Sequence, residues 1–324
     1  VRWALLALAL LLLFNAVATP GFFDLHVRDG RVYGVLVDIL NHGSKVAIVA
    51  LGMTLVIATG GVDLSVGAVA AIAGAVAATL VSHHSMPWPV AVLAALGVGC
   101  VCGAWNASLV TLLRLQPIVA TLILMVAGRG IAQLITGGLI VTFDNPGLRT
   151  IGNGAFAGLP VPVWLMLSVL VGTALATRRT PLGLFVESVG DNPAASRLAG
   201  VPDRAVRVAV YAFTGACAAG VGLIESSYIA AADANNAGQL LELDAILAVV
   251  IGGTSLTGGR FVLLGSVVGA LLMQALTKTL YMQDVSADIA PAPKALAVIL
   301  VCLLQSPVLR RALARRAPAP RRAA

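Results

Sequence analysis

Apolar and polar positions in this chain alternate on the scale of whole segments. Long, mostly apolar runs are broken by short polar stretches. A helix needs about 20 such residues to cross a bilayer. Ten runs are expected as spans, at roughly 3–19, 36–59, 62–82, 88–112, 117–137, 161–177, 208–230, 244–258, 261–281 and 293–306. The eighth and tenth are short, so tilted, broken or re-entrant helices are expected there. The expected fold class is all-α, a polytopic membrane protein with about ten transmembrane helices.

The chief polar interruption is 178–207, RRTPLGLFVESVGDNPAASRLAGVPDRAVR. Its arginines at 178, 179, 197, 204 and 207 outnumber Glu187, Asp191 and Asp203. An excess of arginine places a loop on the cytoplasmic side. Ten spans then put both termini there too. On that frame 14 of the 21 Lys and Arg residues fall inside, 6 outside, and Arg129 within a span. That asymmetry has the sign the positive-inside rule requires. Within the stretch, Asn192 to Gly200 reads as a short helix, with Asn192 as N-cap, Pro193 at the first position and Gly200 at the stop.

Residues 1–307 are expected to form one transmembrane domain. Residues 308–324 form a basic tail with Ala-Pro repeats, expected to be disordered, cytoplasmic and drawn to anionic lipid headgroups. The first run lacks a convincing small-residue cleavage site, so it reads as a retained helix.

Composition supports the membrane reading. The chain is 59% hydrophobic and 11% charged, against about 25% charged residues in soluble domains. The net charge of +7 does not indicate nucleic acid, because the cations collect in loops and tail rather than on one face. Cys100, Cys102, Cys217 and Cys302 lie in apolar runs without zinc spacing and read as packing residues. His83 and His84 are adjacent in a short turn with no acidic partner nearby, so no metal site is expected. No Gly-Lys-Ser/Thr ending occurs, so the chain has no phosphate loop. No catalytic constellation is apparent, and no cofactor is expected on this chain.

Two glycine turns stand out. Gly60-Gly61-Val62-Asp63-Leu64-Ser65-Val66-Gly67 joins spans two and three, and Gly252-Gly253-Thr254-Ser255-Leu256-Thr257-Gly258-Gly259 joins spans eight and nine. Aligned, they give G-G-x-x-L-[ST]-x-G twice, with Ser255 opposite Asp63. This is either an internal repeat, as transporters often carry, or chance in a chain with 34 glycines. Asp63 either caps span three or touches substrate.

Polar groups within spans are few, and each should face a cavity or a partner. Asn106 is the best pathway candidate, because an amide donates and accepts as a sugar hydroxyl requires. Glu225 joins it, with Asn235 in the outer loop 231–243. Arg129 and Glu225 either pair with each other or reach the outer interface.

Several stretches together resemble a known family: GGVDLSVGA, LQPIVATL, GRGIAQLITGG, GDNPAASRLAGV and ELDAILAVVIGGTSLTGGRF. The chain is similar, from about Ile39 to the last span, to the ribose-type permeases of bacterial ABC sugar importers. Within them it resembles the branch that serves galactofuranose. The resemblance implies an inner-membrane permease that conducts a monosaccharide by alternating access. It implies a periplasmic sugar-binding protein outside and ABC ATPase subunits inside, which carry ATP and Mg. It implies a second, homologous permease chain, so a hetero-dimer rather than a homo-dimer. The family's coupling helix maps onto Asn192, Ala194, Ala195, Arg197 and Gly200. Two other readings stay open: a secondary transporter, for which only Glu225 offers a midplane carboxylate, and an ABC permease for amino acids or another small polar solute.

Overall fold

The computed structural model describes residues 2–28 and 30–286, and beyond them 289, 292–296 and 299. The expected tenth span is described only at 293–296 and 299, and Cys302 and the tail at 308–324 lie outside the described residues.

The described chain is predominantly helical. Its helices are α1 (Arg2–Ala18), α2 (Val35–Ala58), α3 (Val66–Ser82), α4 (Trp88–Thr111), α5 (Pro117–Thr136), α6 (Pro146–Asn153), α7 (Val161–Arg179), α8 (Leu182–Asp191), α9 (Pro193–Leu198), α10 (Asp203–Ile229), α11 (Leu241–Ile251) and α12 (Leu263–Met282). Six of them, α2, α4, α5, α7, α10 and α12, are long and apolar enough to cross a membrane. The chain is therefore a multi-pass membrane protein. Helices α1 and α3 are apolar but have 17 residues each. The eighth expected run becomes α11, which has 11 residues. At 1.5 Å per residue it spans roughly half of a ~30 Å hydrocarbon core.

Helices α2, α10 and α12 form the axis. In their most apolar windows 78% of α2 and 61% of each of α10 and α12 is buried, against 28% of α5 and 22% of α7. The axis packs through small residues. A Cβ on Gly215 of α10 would collide with the Gly99 carbonyl of α4, and one on Gly222 with the Ala70 carbonyl of α3. Close backbone approach of this kind supplies the packing that drives helix association where lipid is as apolar as leucine.

Short connections lay neighbouring helices antiparallel and give the bundle two ends. At the arginine end lie the turns 59–65 and 252–262, the connection 112–116 and helices α8 and α9. At the hairpin end three small antiparallel pairs form. His26–Arg28 pairs with Arg31–Tyr33, and Ala155–Phe156 with Leu159–Pro160. Val141–Thr142 pairs with Ala231–Ala232, which ties the segment after α5 to the segment after α10.

Two expectations change, and one further helix appears between spans. The stretch 178–207 is mostly helix. Its first half is α8, an amphipathic segment too short to register as a span. The glycine- and proline-rich stretch 139–160 holds α6, whose N-cap Asn145 accepts from the Leu148 amide at 3.1 Å. The eighth run begins at Leu241 rather than 244 and stops at the Gly252 cap, so its expected last turn belongs to the turn that follows.

Candidate functional site

The first glycine turn closes α2 with two backbone bonds. Gly60 N–H donates to Ile57 O at 2.9 Å and Gly61 N–H to Val56 O at 3.1 Å. Gly60 sits at φ 78°, a left-handed conformation that costs glycine little. Asp63 follows, only 1% exposed. Its Oδ1 accepts from Ser65 N at 2.9 Å, Ser65 Oγ at 2.7 Å and Asn106 Nδ2 at 3.4 Å. Asn106 also donates to Ser65 Oγ at 2.8 Å. A carboxyl this deep needs such partners. The knot fixes the entry of α3 to α4. Tyr211 of α10 is fully buried beside it, and a Cβ on Gly61 would collide with its hydroxyl.

The second turn closes α11 in the same way. Gly253 N–H donates to Val250 O at 3.0 Å and Thr254 N–H to Val249 O at 3.3 Å, with Gly253 at φ 94°. Its surroundings differ. A Cβ on Gly252 would strike the backbone of Gly265 and Ser266 on α12. Ser255 is exposed, and its hydroxyl meets that of Thr257 at 2.7 Å. The two turns touch where Gly259 N–H donates to Ala58 O at 2.9 Å. Gly190 of α8 lies against both groups, so closely that a Cβ there would meet each.

Helix α9 follows α8 directly. Asn192 Oδ1 accepts from Ala194 N at 3.1 Å and Ala195 N at 3.0 Å, Pro193 is the first helical residue, and Gly200 takes φ 83° just past the end. Ala194, Ala195, Arg197 and Gly200 are exposed, and Leu198 is 92% exposed. Arg197 Nη1 pairs with Asp203 Oδ2 at 3.0 Å. The arginine end thus joins both glycine turns, through Gly190, to an exposed capped helix.

Glu225 and Asn235 both lie at the hairpin end, and of the two only Glu225 lines the cavity there. Arg129 and Glu225 do not pair with each other. Both grip the backbone of the segment after α10. Glu225 Oε2 accepts from Gly238 N at 2.9 Å. Arg129 Nη1 donates to the carbonyls of Ala237, Ala234 and Asn235. Lys45 Nζ lies 3.9 Å from Glu225 Oε1 and 5.7 Å from the Tyr228 ring centroid. Gln133 Nε2 donates to Asn235 Oδ1 at 2.6 Å. Asp233 accepts from the Asn236 side chain at 2.7 Å and the Asn235 and Asn236 amides. The Asn236 side-chain amide, above all, holds the Asp233 carboxyl below the usual carboxylate range. A cavity of 240 Å³ opens here, lined by Lys45, Glu225, Tyr228, Asp233 and Asn236 among others.

Asn106 is therefore placed in the knot at the arginine end, away from Glu225 and Asn235. The sequence reading missed Tyr211, Lys45, Tyr228 and Gln133. Each is a polar group within an apolar run, and that is the one signal it gave. Among the described residues no group of three or more His, Cys, Asp or Glu side chains is arranged to hold a metal.

The family model described as branched-chain amino acid transport system / permease component matches residues 35–305. The galactofuranose transporter permease protein YtfT of Escherichia coli (strain K12) is 51% identical over 303 residues, 93% of this chain and 88% of that protein. The fructose import permease protein FruF of Bifidobacterium longum (strain NCC 2705) is 39% identical, over 94% of this chain and 87% of that protein. The ribose import permease protein RbsC of Escherichia coli (strain K12) is 37% identical, over 94% and 92%.

Proposed function

The chain belongs to this family of transport-system permease components, and from that premise we propose that it is the membrane-spanning subunit of an ATP-driven, binding-protein-dependent monosaccharide importer. Galactofuranose or a related sugar is the substrate. The observation that carries the substrate class is that three relatives, each matched over more than nine-tenths of this chain, are named for sugars. The family model's description names amino acids instead, so the amino-acid reading is the rival to be tested.

The two ends support a division of labour. The hairpin-end cavity offers donors and acceptors together, with an aromatic face at Tyr228, which suits a hydroxyl-rich solute. The arginine end presents α9, a small capped helix with exposed alanines that a soluble subunit can pack against. In this reading the arginine end faces the cytoplasm, both termini lie there, and the described spans belong to a set of about ten in the bacterial inner membrane. A second homologous permease encloses the path, and separate ATPase subunits carry ATP and Mg. The isolated chain hydrolyses no ATP.

Competition in vesicles tests this. Uptake of labelled galactofuranose, measured with the binding protein and ATPase present, should fall when unlabelled galactofuranose is added and not when leucine is added. Leucine competition, or ATP hydrolysis by the purified chain alone, would overturn the proposal.

A further inference from the structure

A second cavity, of 630 Å³, opens at the arginine end. Arg114 from the α4–α5 connection, Arg197 of α9, and Arg204 and Arg207 of α10 all line it. Asp203 is the one acid in the lining, and Arg197 holds it at 3.0 Å. Among the described residues, the side chains of Arg114, Arg204 and Arg207 have no ion pair or hydrogen bond. The lining thus carries three uncompensated positive charges. A cleft with charge of one sign and low-dielectric walls concentrates the field inside it.

A general excess of inside arginine explains the sign of these residues. It does not explain why two separate elements, the α4–α5 connection and α10, direct them into one cavity. Arg114 adds a second observation. It sits at φ 55°, in the chain reversal where Leu115 N–H donates to Leu109 O at 3.1 Å. Glycine is the residue that takes this conformation without strain, and any other costs about 1–2 kcal/mol.

We propose that this cavity binds a phosphate group, held by Arg114, Arg204 and Arg207. Guanidinium forks match phosphate oxygens bidentately and stay charged at every physiological pH. Basic pockets between transmembrane helices bind phosphate-bearing lipid headgroups by the same chemistry. Arg207 lies one turn before Tyr211 on α10, so an occupant would press on the helix that packs against the first glycine turn. The proposal stands apart from the choice of sugar.

The source of the phosphate is settled by two arms on the purified full chain. In dodecyl maltoside micelles, which carry no phosphate, inorganic phosphate is titrated and thermal stability followed. In detergent, native mass spectrometry counts phosphatidylglycerol retained from mixed micelles. Three variants are compared with the wild type. Arg114→Gln/Arg207→Gln removes two lining charges. Arg178→Gln/Arg179→Gln removes two charges outside the lining. Arg114→Gly removes the guanidinium while relieving the strained φ.

Binding of either probe by the wild type should weaken on the order of tenfold per lining arginine removed, as loss of a charged hydrogen bond implies. The Arg178/Arg179 variant should bind as the wild type does. Arg114→Gly should bind more weakly yet unfold at a higher temperature, which separates binding from folding. A response to inorganic phosphate identifies a soluble phosphate, and retention of phosphatidylglycerol alone identifies a lipid. Equal weakening in the Arg178/Arg179 variant would show only unspecific attraction and overturn the site. Failure of the wild type to bind either probe would overturn it.

Discussion

The two glycine turns end their helices alike and then diverge. Their cap bonds align Gly60 with Gly253, each left-handed, and Thr59 with Gly252, each the C-cap. The sequence match instead sets Gly60 opposite Gly252 and Asp63 opposite Ser255. The structural register is one residue out from the sequence register, so Ser255 is not the counterpart of Asp63. After the first turn the chain is sealed by the buried Asp63–Ser65–Asn106 knot. After the second it stays exposed and touches α8. What recurs is helix termination, which two glycines and a β-branched run suffice to specify. The use made of the following side chains does not recur. One turn anchors three helices, and the other lies open beside the segment that leads to α9.

Substitutions can break this comparison. The largest effect is expected from Gly252→Val, which drives a side chain into α12 backbone. The loss should exceed about 4 kcal/mol, and size-exclusion chromatography should find little monodisperse protein. Next comes Asp63→Ala, which strands the Ser65 amide and hydroxyl in a buried site. Its expected cost is about 2–3 kcal/mol, read from thermal unfolding in detergent. Equal stability of Asp63→Ala and the wild type would show that the knot does not anchor α3.

Smaller effects sharpen the register. Gly60→Ala and Gly253→Ala each place a Cβ at positive φ and should each cost about 1–2 kcal/mol from the backbone alone. Unequal losses in the same thermal assay would restore the sequence register. Ser255→Ala, at an exposed hydroxyl, should stay within about 0.5 kcal/mol of the wild type.

The limits of the sequence are visible in the same residues. The helices that cross were legible because twenty apolar residues leave a bilayer few alternatives. The Asn192 cap was legible because Asn suits the N-cap and Pro the first position of a helix. Helix α8 was not, since ten amphipathic residues between arginines look like loop. The partners of Asn106 were not legible and Tyr211 was missed, because a polar group in an apolar run does not name its neighbours. Arg129 and Glu225 showed this most clearly. Their opposite charges suggested a pair, yet each bonds the backbone of the segment after α10, a contact set by chain path rather than charge.

The central claim is that separate ATPase subunits work this permease through α9. Ala195→Glu tests it most directly. Ala195 is exposed on the six-residue α9, so the chain itself tolerates the change and should reach the membrane in normal amount. An unpaired charge and added bulk are costly at a packed interface. With the variant and its ATPase co-expressed, the account predicts a normally inserted permease from which the ATPase no longer co-purifies and which no longer supports sugar uptake. Co-purification and uptake both at wild-type levels would contradict it.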